Sequence, residues 1–479
     1  MHLEAVLLSL ATLPLVKSET VLGLYVFSRH GDRTPKILAP TNLTSLGAEQ
    51  VYTSGGYYRN RYVASDASSP ILGLSRNTAA LQQLTVTAPV DNVLQSSAQA
   101  FLQGLYPPAG NFATEELRND TEVTSPLSGY QYIPINTVDN SFSGTTPEDS
   151  PWLQGGSGCD NAVISSNNYL SSSEYIAAYQ QSEAFYQDLL PVINTTYNAA
   201  AANFKNAYSI FDYINVATIH NQTIPSSGLL TNETLYELKV LANEHEWGLA
   251  YNSSDEIRAI AGATLAGQIV EALNDTISGK GKLPLHIQFG AYGVFSSFFG
   301  LAQLPAVSDD FTGVVDYAAN MAFELVTNAS VTSGYPSADD ISVRFLFANG
   351  SAALVAPQVY PLFGQSETLL PWTTFVTEMN KFAVSDTADW CRVCGVTTGT
   401  CATTSSSGSG SGSGTATATK APNSISLPVA GVIGALVTLA VVLGAEALIY
   451  VVSGVTIVKK STLAASGGVA AASAAGSKA

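Results

Sequence analysis

A chain of 479 residues with 20 Lys and Arg against 37 Asp and Glu carries a formal net charge of −17. That balance excludes a nucleic-acid partner and adhesion to an anionic membrane surface, while the length suffices for one large domain or two ordinary ones. With cations so sparse, a tight group of them beside a histidine stands out.

Residues 1–18, MHLEAVLLSLATLPLVKS, hold a short apolar run from Ala5 to Val16, followed by Ser18. They predict a secretory signal peptide and a mature start near Glu19. The segment before the run carries Glu4 and no Lys or Arg, and a buried first strand or helix is the competing reading. Val21–Ser28 is an apolar, β-rich run, broken at Gly23, that ends in Arg29-His30-Gly31-Asp32-Arg33-Thr34-Pro35. It predicts a buried strand feeding a charged loop. Gly47–Val63 reads as a helix with Gly and aromatic interruptions, and residues 88–107 as a loop opening a helix. From about 110 to 165 the chain is rich in Gly, Ser, Asn and Pro and holds Trp152 and Cys159. An irregular insertion of that length covers a site or is tied by a disulfide.

Helices dominate next. Ser171 stands three residues before Glu174, a capping-box spacing, and Ile257, Ile260, Ala261, Leu265 and Ile269 form a core-facing stripe. Strand signals return at KLPLHIQFGAYG and ISVRFLFANG. This order predicts an α/β core, residues 19–110 and 280–402, carrying a mainly helical insertion over 111–279. Residues 403–425 are a Ser/Thr/Gly-rich stalk. Residues 427–452 are almost uninterruptedly apolar, with Glu446 the one charge, and the segment 426–453 is long enough to cross a ~30 Å hydrocarbon layer as a helix. Lys459 and Lys460 follow within a short tail, 454–479. Together these predict a type I single-pass membrane protein with its ectodomain, 19–402, outside the cell or in a lumen; a GPI signal is the alternative.

Nine N-x-S/T sequons, at Asn42, Asn119, Asn194, Asn221, Asn232, Asn252, Asn274, Asn328 and Asn349, predict N-glycans on that ectodomain. Four cysteines, Cys159, Cys391, Cys394 and Cys401, predict two disulfides whose pairing is left open. Cys391 and Cys394 read as structural rather than as a redox or zinc pair, since no second ligand pair lies nearby. No metal site and no cofactor loop is predicted.

The chemistry concentrates at residues 29–35. Two arginines beside a histidine repel it once it is protonated, so packing alone gives no reason for them; a bound dianion does. Arg29 and Arg33 can each grip phosphate oxygens with a planar fork. Gly31 lets backbone approach the ligand, and Pro35 stiffens the exit. His30, kept neutral between them, can attack phosphorus as a nucleophile.

The pattern Arg-His-Gly-x-Arg-x-Pro is similar to the signature of the histidine acid phosphatases, the phytase-containing branch of the histidine phosphatase superfamily. NLTSLGAEQVYTSGGYYRNRYV, SSAQAFLQGLYP, YPLFG, WTTFVTEMNKF and WCRVC resemble further family segments, so the likeness spans residues 21 to about 401. It implies a phosphoglycerate mutase-like α/β sandwich with a mainly helical inserted domain, to which the sequence adds a C-terminal transmembrane helix. It also implies a phosphomonoester substrate, with His30 taking the phosphoryl group while Arg29 and Arg33 neutralise its oxygens.

Two family elements are not found. Asn92 or Val93 stands where a further phosphate-binding arginine belongs, and no Arg or Lys lies between Asn77 and Glu115. Counting back from Gly300-Leu301 puts Gln288 and Phe289 where a His-Asp pair belongs, with His286 two residues early and Ile287 after it. Gln288 is therefore a candidate phosphate ligand, and Asp32 or His286 a candidate proton donor. His220, in IHNQT, and His245, in ANEHEWGLAYN, are assigned no site role, His245 being read as a packing residue. The expected function is a phosphomonoesterase at the cell surface or in the secretory pathway. The alternative is a catalytically impaired relative that binds phosphorylated or anionic ligands.

Overall fold

A computed structural model describes residues 19–138, 158–220 and 222–403. The segment 1–18, read as a signal peptide, Trp152, Asn221 and everything from residue 404, including the expected transmembrane segment 426–453, lie outside the described residues. Among the described residues no helix is long and apolar enough to cross a membrane.

Among the described residues ten strands follow in chain order: β1 (Thr20–Arg29), β2 (Leu84–Pro89), β3 (Thr114–Glu116), β4 (Glu122–Thr124), β5 (Asn136–Val138), β6 (Leu285–Gly290), β7 (Asn320–Thr327), β8 (Ile341–Ala348), β9 (Gln358–Tyr360) and β10 (Leu369–Pro371). The main sheet runs β10-β8-β7-β1-β6-β2-β5, with β9 on β8, while β3 and β4 pair separately. β1 is parallel to β6 and antiparallel to β7. Flanked on both sides and covered on both faces, β1 is buried from Val21 onward, which is why its sequence is almost continuously apolar rather than alternating.

Two hydrophobic layers cover the sheet. On one face, helices α1 (Ser45–Tyr58) and α2 (Asn92–Leu105) set Val51, Leu94 and Phe101 against Val26, Val86 and Ile287. They can lie close because neither chain puts a side chain at the crossing: a Cβ on Gly104 would sit 2.0 Å from the Tyr52 carbonyl oxygen. The other face packs Phe27, Phe323 and Phe345 against Leu265, Phe298 and Phe375.

Between β5 and β6 the chain is mainly helical: α3 (Asp160–Tyr169), α4 (Ser173–Asp188), α5 (Ala207–Ile219), α6 (Asn232–Ala250) and α7 (Ile260–Ser278). After β6 come α8 (Tyr292–Leu301), α9 (Trp372–Met379) and α10 (Thr387–Cys394). The insertion has its own core, with Tyr186, Phe204, Ile210 and Leu238 fully buried. Two segments inside the range read as insertion belong to the sheet layers instead. β5 extends the sheet beside β2, and α7 lays Leu265, Ile269 and Leu273 on the β1 face. The cap of α4 is Ser172, whose side chain accepts from Tyr175 N, whereas Ser171 donates to the Asn168 carbonyl; the expected Ser171 cap is one residue out. Disulfides join Cys159 to Cys394 and Cys391 to Cys401, so the two halves of the C-x-x-C leave for different partners. The first ties the insertion to α10.

Candidate active site

The loop after β1 emerges at the carboxyl end of the parallel strands, where open α/β sheets bind ligands. Its backbone is pressed between the two helices of one face. Gly31 N donates to Ser97 Oγ of α2, and Asp32 N donates to Gln50 Oε1 of α1. A Cβ on Gly31 would meet the Gly47 carbonyl oxygen at 2.1 Å, and one on Gly47 would meet the Asp32 carbonyl oxygen at 2.0 Å. Both glycines are therefore fixed by close approach.

His30 is 1 % exposed. Its Nδ1 donates to the Gly31 carbonyl oxygen at 2.7 Å, which leaves the lone pair on Nε2. Burial, then the charges of Arg29 and Arg33, hold its pKa well below the ordinary histidine value, so the ring is neutral. Neutrality at an acid pH is what a nitrogen nucleophile requires.

Arg29 bonds the Val315 carbonyl, and its guanidinium lies 4.6 Å from the Tyr317 ring centre and 5.2 Å from that of Tyr292. Arg33 is paired with Asp212 at 3.0 Å, both side chains being buried, and also donates to Tyr208 Oη at 3.2 Å. Burial opposes the Arg33 charge, but Tyr208 and Asp212 outweigh it and push the pKa up. The Nε atoms of both arginines and Asp32 Oδ1 are buried without a hydrogen-bond partner. Two unmet donors on cations beside a neutral imidazole fit an anion with several acceptor oxygens.

Asp212 and Tyr208 sit four residues apart on one face of α5, and His220 follows eight residues later at its end. His220 Nε2 lies 2.6 Å from Asp32 Oδ2, which also accepts from Thr44 Oγ1 at 2.5 Å. The Arg29-to-Pro35 motif contains none of these partners. The readable signal was the isolated carboxylate of Asp212 in the otherwise apolar run AYSIFDYINVATI. His220, read as a loop residue without a site role, instead clasps the loop through Asp32. With its carboxylate engaged by Thr44 and His220, Asp32 ties α5 to the N-terminus of α1.

The structure does not bring Gln288 or His286 to His30. Register pairs Phe27 with Gln288 and Arg29 with Gly290, so the residues level with His30 and Gly31 at the end of β6 are Ala291 and Tyr292. Gln288 lies three positions down the strand, where Tyr25 Oη donates to its Oε1 at 2.5 Å and its Nε2 donates to Gln268 Oε1 at 2.9 Å. His286 is deeper still; its Nε2 meets Thr276 Oγ1 and the Leu283 carbonyl, each at 3.1 Å. Burial pushes its pKa down to about 4. The count back from Gly300-Leu301 fails because α8 begins at Tyr292, directly after the strand. At the other expected gap, Asn92 opens α2 and Val93 is fully buried, with Asp91 Oδ1 accepting both Val93 N and Leu94 N at 2.8 Å.

Tyr292 begins α8 at that strand end. Its hydroxyl donates to Glu246 Oε2 of α6 at 2.6 Å, and its ring lies 4.8 Å from that of Tyr208, tilted by 38°. Burial, then Glu246, holds its phenol pKa well above the ordinary value. Glu246 Oε1 in turn accepts from His245 Nδ1 at 2.8 Å, so His245 braces a carboxylate as well as packing against Phe204. A cleft of about 660 Å³ opens here, lined among others by Lys36, Asp91, Glu246, Tyr292 and Gly293. Among the described residues no group of three or more His, Cys, Asp or Glu is arranged to hold a metal ion.

The family model of the histidine phosphatase superfamily (branch 2) matches residues 37–348, more than half of the chain. The chain belongs to that family. The matched range begins just past the loop, so Arg29-to-Pro35 is an independent sign of the same membership. Lysosomal acid phosphatase of Xenopus laevis is 25% identical over 377 residues, 74% of this chain and 76% of that protein. Human prostatic acid phosphatase is 26% identical over 228 residues, 45% of this chain and 51% of that one. Among solved structures, the Citrobacter braakii phytase superposes with a TM-score of 0.53 at 15% identity, over 78% of this chain and 99% of that one. Hafnia alvei phytase in complex with myo-inositol hexakis sulphate gives 0.52 at 14%, over 80% and 99%. At such identities these two structures speak to the fold alone.

Proposed function

We propose that this chain is a phosphomonoesterase that passes the phosphoryl group through His30. The carrying observation is the neutral, buried His30 with Nδ1 engaged by backbone and Nε2 free, between two arginines that each keep an unmet Nε donor. Nε2 attacks phosphorus as the ester oxygen leaves; Arg29 and Arg33 stabilise the charge that gathers on the equatorial oxygens; water then releases orthophosphate from the phosphohistidine. Asp32 and His220 hold the loop rigid during both steps. The family and the acid phosphatase relatives support this activity. The test is hydrolysis of p-nitrophenyl phosphate and an alkyl phosphate across acid to neutral pH, beside His30→Ala. A rate no higher than that of His30→Ala on either ester would refute the proposal.

A second function, anion binding with impaired turnover, draws on specific features. Asp212 already balances Arg33, no cation replaces the expected arginine near Asn92, and Ala291 and Tyr292 stand at the end of β6. The same assay separates the two, because binding without hydrolysis leaves His30→Ala and the parent equal in rate.

We further propose the secretory route for this chain: a signal peptide over 1–18, a glycosylated domain over 19–402, a stalk over 403–425, a membrane-spanning helix over 426–453 and a short tail. Exposure of Asn42, Asn119, Asn194, Asn232, Asn274 and Asn328 supports glycosylation, and the two disulfides suit an oxidising compartment. Mass analysis before and after enzymatic deglycosylation, with membrane fractionation, tests these assignments.

A further inference from the structure

An alkyl leaving group departs as an alkoxide unless a proton reaches it, so a phosphohistidine enzyme acting on alkyl esters needs an acid beside the ester oxygen. The carboxylates around the loop can be taken in turn. Asp212 is bound into its ion pair with Arg33. Asp32 is held by Thr44 and His220. Asp91 Oδ1 caps α2 through two backbone amides. Asp316 is 57 % exposed and faces Lys239.

Glu246 differs from Asp212, Asp32 and Asp316 in lining the cleft, and from Asp91, which also lines it, in capping no helix. From the helical insertion it accepts the hydroxyl of Tyr292, two residues past the end of β6, and it lines the 660 Å³ cleft together with Lys36 and Tyr292. Tyr292, its hydrogen-bond partner, packs directly on the Arg29 guanidinium. Its side chain is 15 % exposed, shielded yet open to the cleft, and His245 holds the other oxygen. A carboxyl group bonded to the tyrosine whose ring packs on Arg29, and lining the cleft, is placed to exchange a proton with whatever occupies that cleft.

We propose that Glu246 is the proton donor to the leaving alcohol, with Tyr292 and His245 as its positioning residues. This rests on the phosphohistidine proposal above. In the first step the His30 Nε2 lone pair forms the N–P bond. The P–O bond to the alcohol breaks with its electron pair on oxygen, and the Glu246 carboxyl proton passes to that oxygen. In the second step the Glu246 carboxylate takes a proton from the attacking water as the O–P bond forms and the N–P bond breaks, which restores both residues. The donor thus comes from the inserted helical domain and approaches from the cleft side.

The experiment compares kcat/KM, which reports the first step, for an alkyl phosphate and for p-nitrophenyl phosphate, whose leaving group needs little proton assistance. Glu246→Gln should lose on the order of 10²-fold more on the alkyl ester than on the aryl ester. Tyr292→Phe should shift the same ratio in the same direction by a smaller factor, and it carries the test should Glu246→Gln not fold. An equal loss on both esters, or no loss on the alkyl ester, would overturn the assignment of Glu246. If the parent protein hydrolyses neither ester, the phosphohistidine proposal itself fails and this one with it.

Discussion

Asp212, on a helix of the inserted domain, sits 3.0 Å from Arg33 of the loop, and both side chains are buried. The pair makes the insertion a structural part of the candidate site: α5 supplies Asp212 and Tyr208 to Arg33, and His220 at its end supplies a second clasp through Asp32. It also sets how much of the Arg33 charge remains for a ligand.

Replacing Asp212 by Asn leaves a buried guanidinium without its counter-charge. Removing one partner of such a pair costs about 3–5 kcal/mol. The same change exposes more positive charge to an anion, so phosphate should raise the melting temperature of Asp212→Asn by more than it raises that of the parent. A calorimetric melt of both proteins with and without phosphate checks this; a smaller upshift in the variant would contradict it.

Gly31→Ala tests the close packing under the loop. The new methyl group would lie 2.1 Å from the Gly47 carbonyl oxygen, and backbone on both sides leaves little room to yield. Overpacking of this kind costs about 1–3 kcal/mol or more. The expected outcome is a lower urea midpoint together with weaker phosphate binding, because the same shift moves Arg29 and Arg33. An unchanged midpoint would show that the loop is slacker than its contacts indicate.

His286 governs acid stability rather than chemistry. Its folded pKa, about 4, lies below the ordinary histidine value of 6.5, so the unfolded chain binds the proton more tightly. The stability it contributes is complete above pH 6.5 and is lost as pH falls toward 4. At about 1.4 kcal/mol per pKa unit the loss is ~3 kcal/mol. Denaturant melts at both ends of that range should show a loss smaller by roughly that amount in His286→Gln; equal losses would remove His286 from the account.

Gln288 separates counting from register. Gln288→Leu strips Tyr25 of its acceptor inside the sheet, which costs about 1–3 kcal/mol, but the residue lies away from the loop. Stability should fall while KM for p-nitrophenyl phosphate stays at the parent value. A several-fold rise in KM would return Gln288 to the phosphate site.

What the sequence made legible follows from where the information is local. β1, the loop and His30 are contiguous, so an apolar run ending at Arg29 and His30 could be read directly, whereas Gly31, read as making room for a ligand, is pressed against the Gly47 backbone instead. The stripe of Ile260, Leu265 and Ile269 likewise marked a helix that the fold buries. Residues that complete the site come from afar: Asp212 from α5, Glu246 from α6, Tyr292 from the start of α8, Tyr317 from the segment before β7. No spacing rule connects them to His30. The strand-end position was misplaced because a count along the chain cannot see where β6 stops and α8 begins, whereas the Arg29–Gly290 pairing fixes it. His220 was passed over for a similar reason, since its partner Asp32 lies 188 residues earlier.

The most direct measurement is rapid acid-free quenching of the protein during turnover of a phosphate monoester, followed by peptide mass spectrometry. A phosphoryl group on His30, stable to base, labile to acid and absent from His30→Ala, is the predicted result. A protein that hydrolyses the ester with no label on His30, or with the label on another residue, would contradict the account.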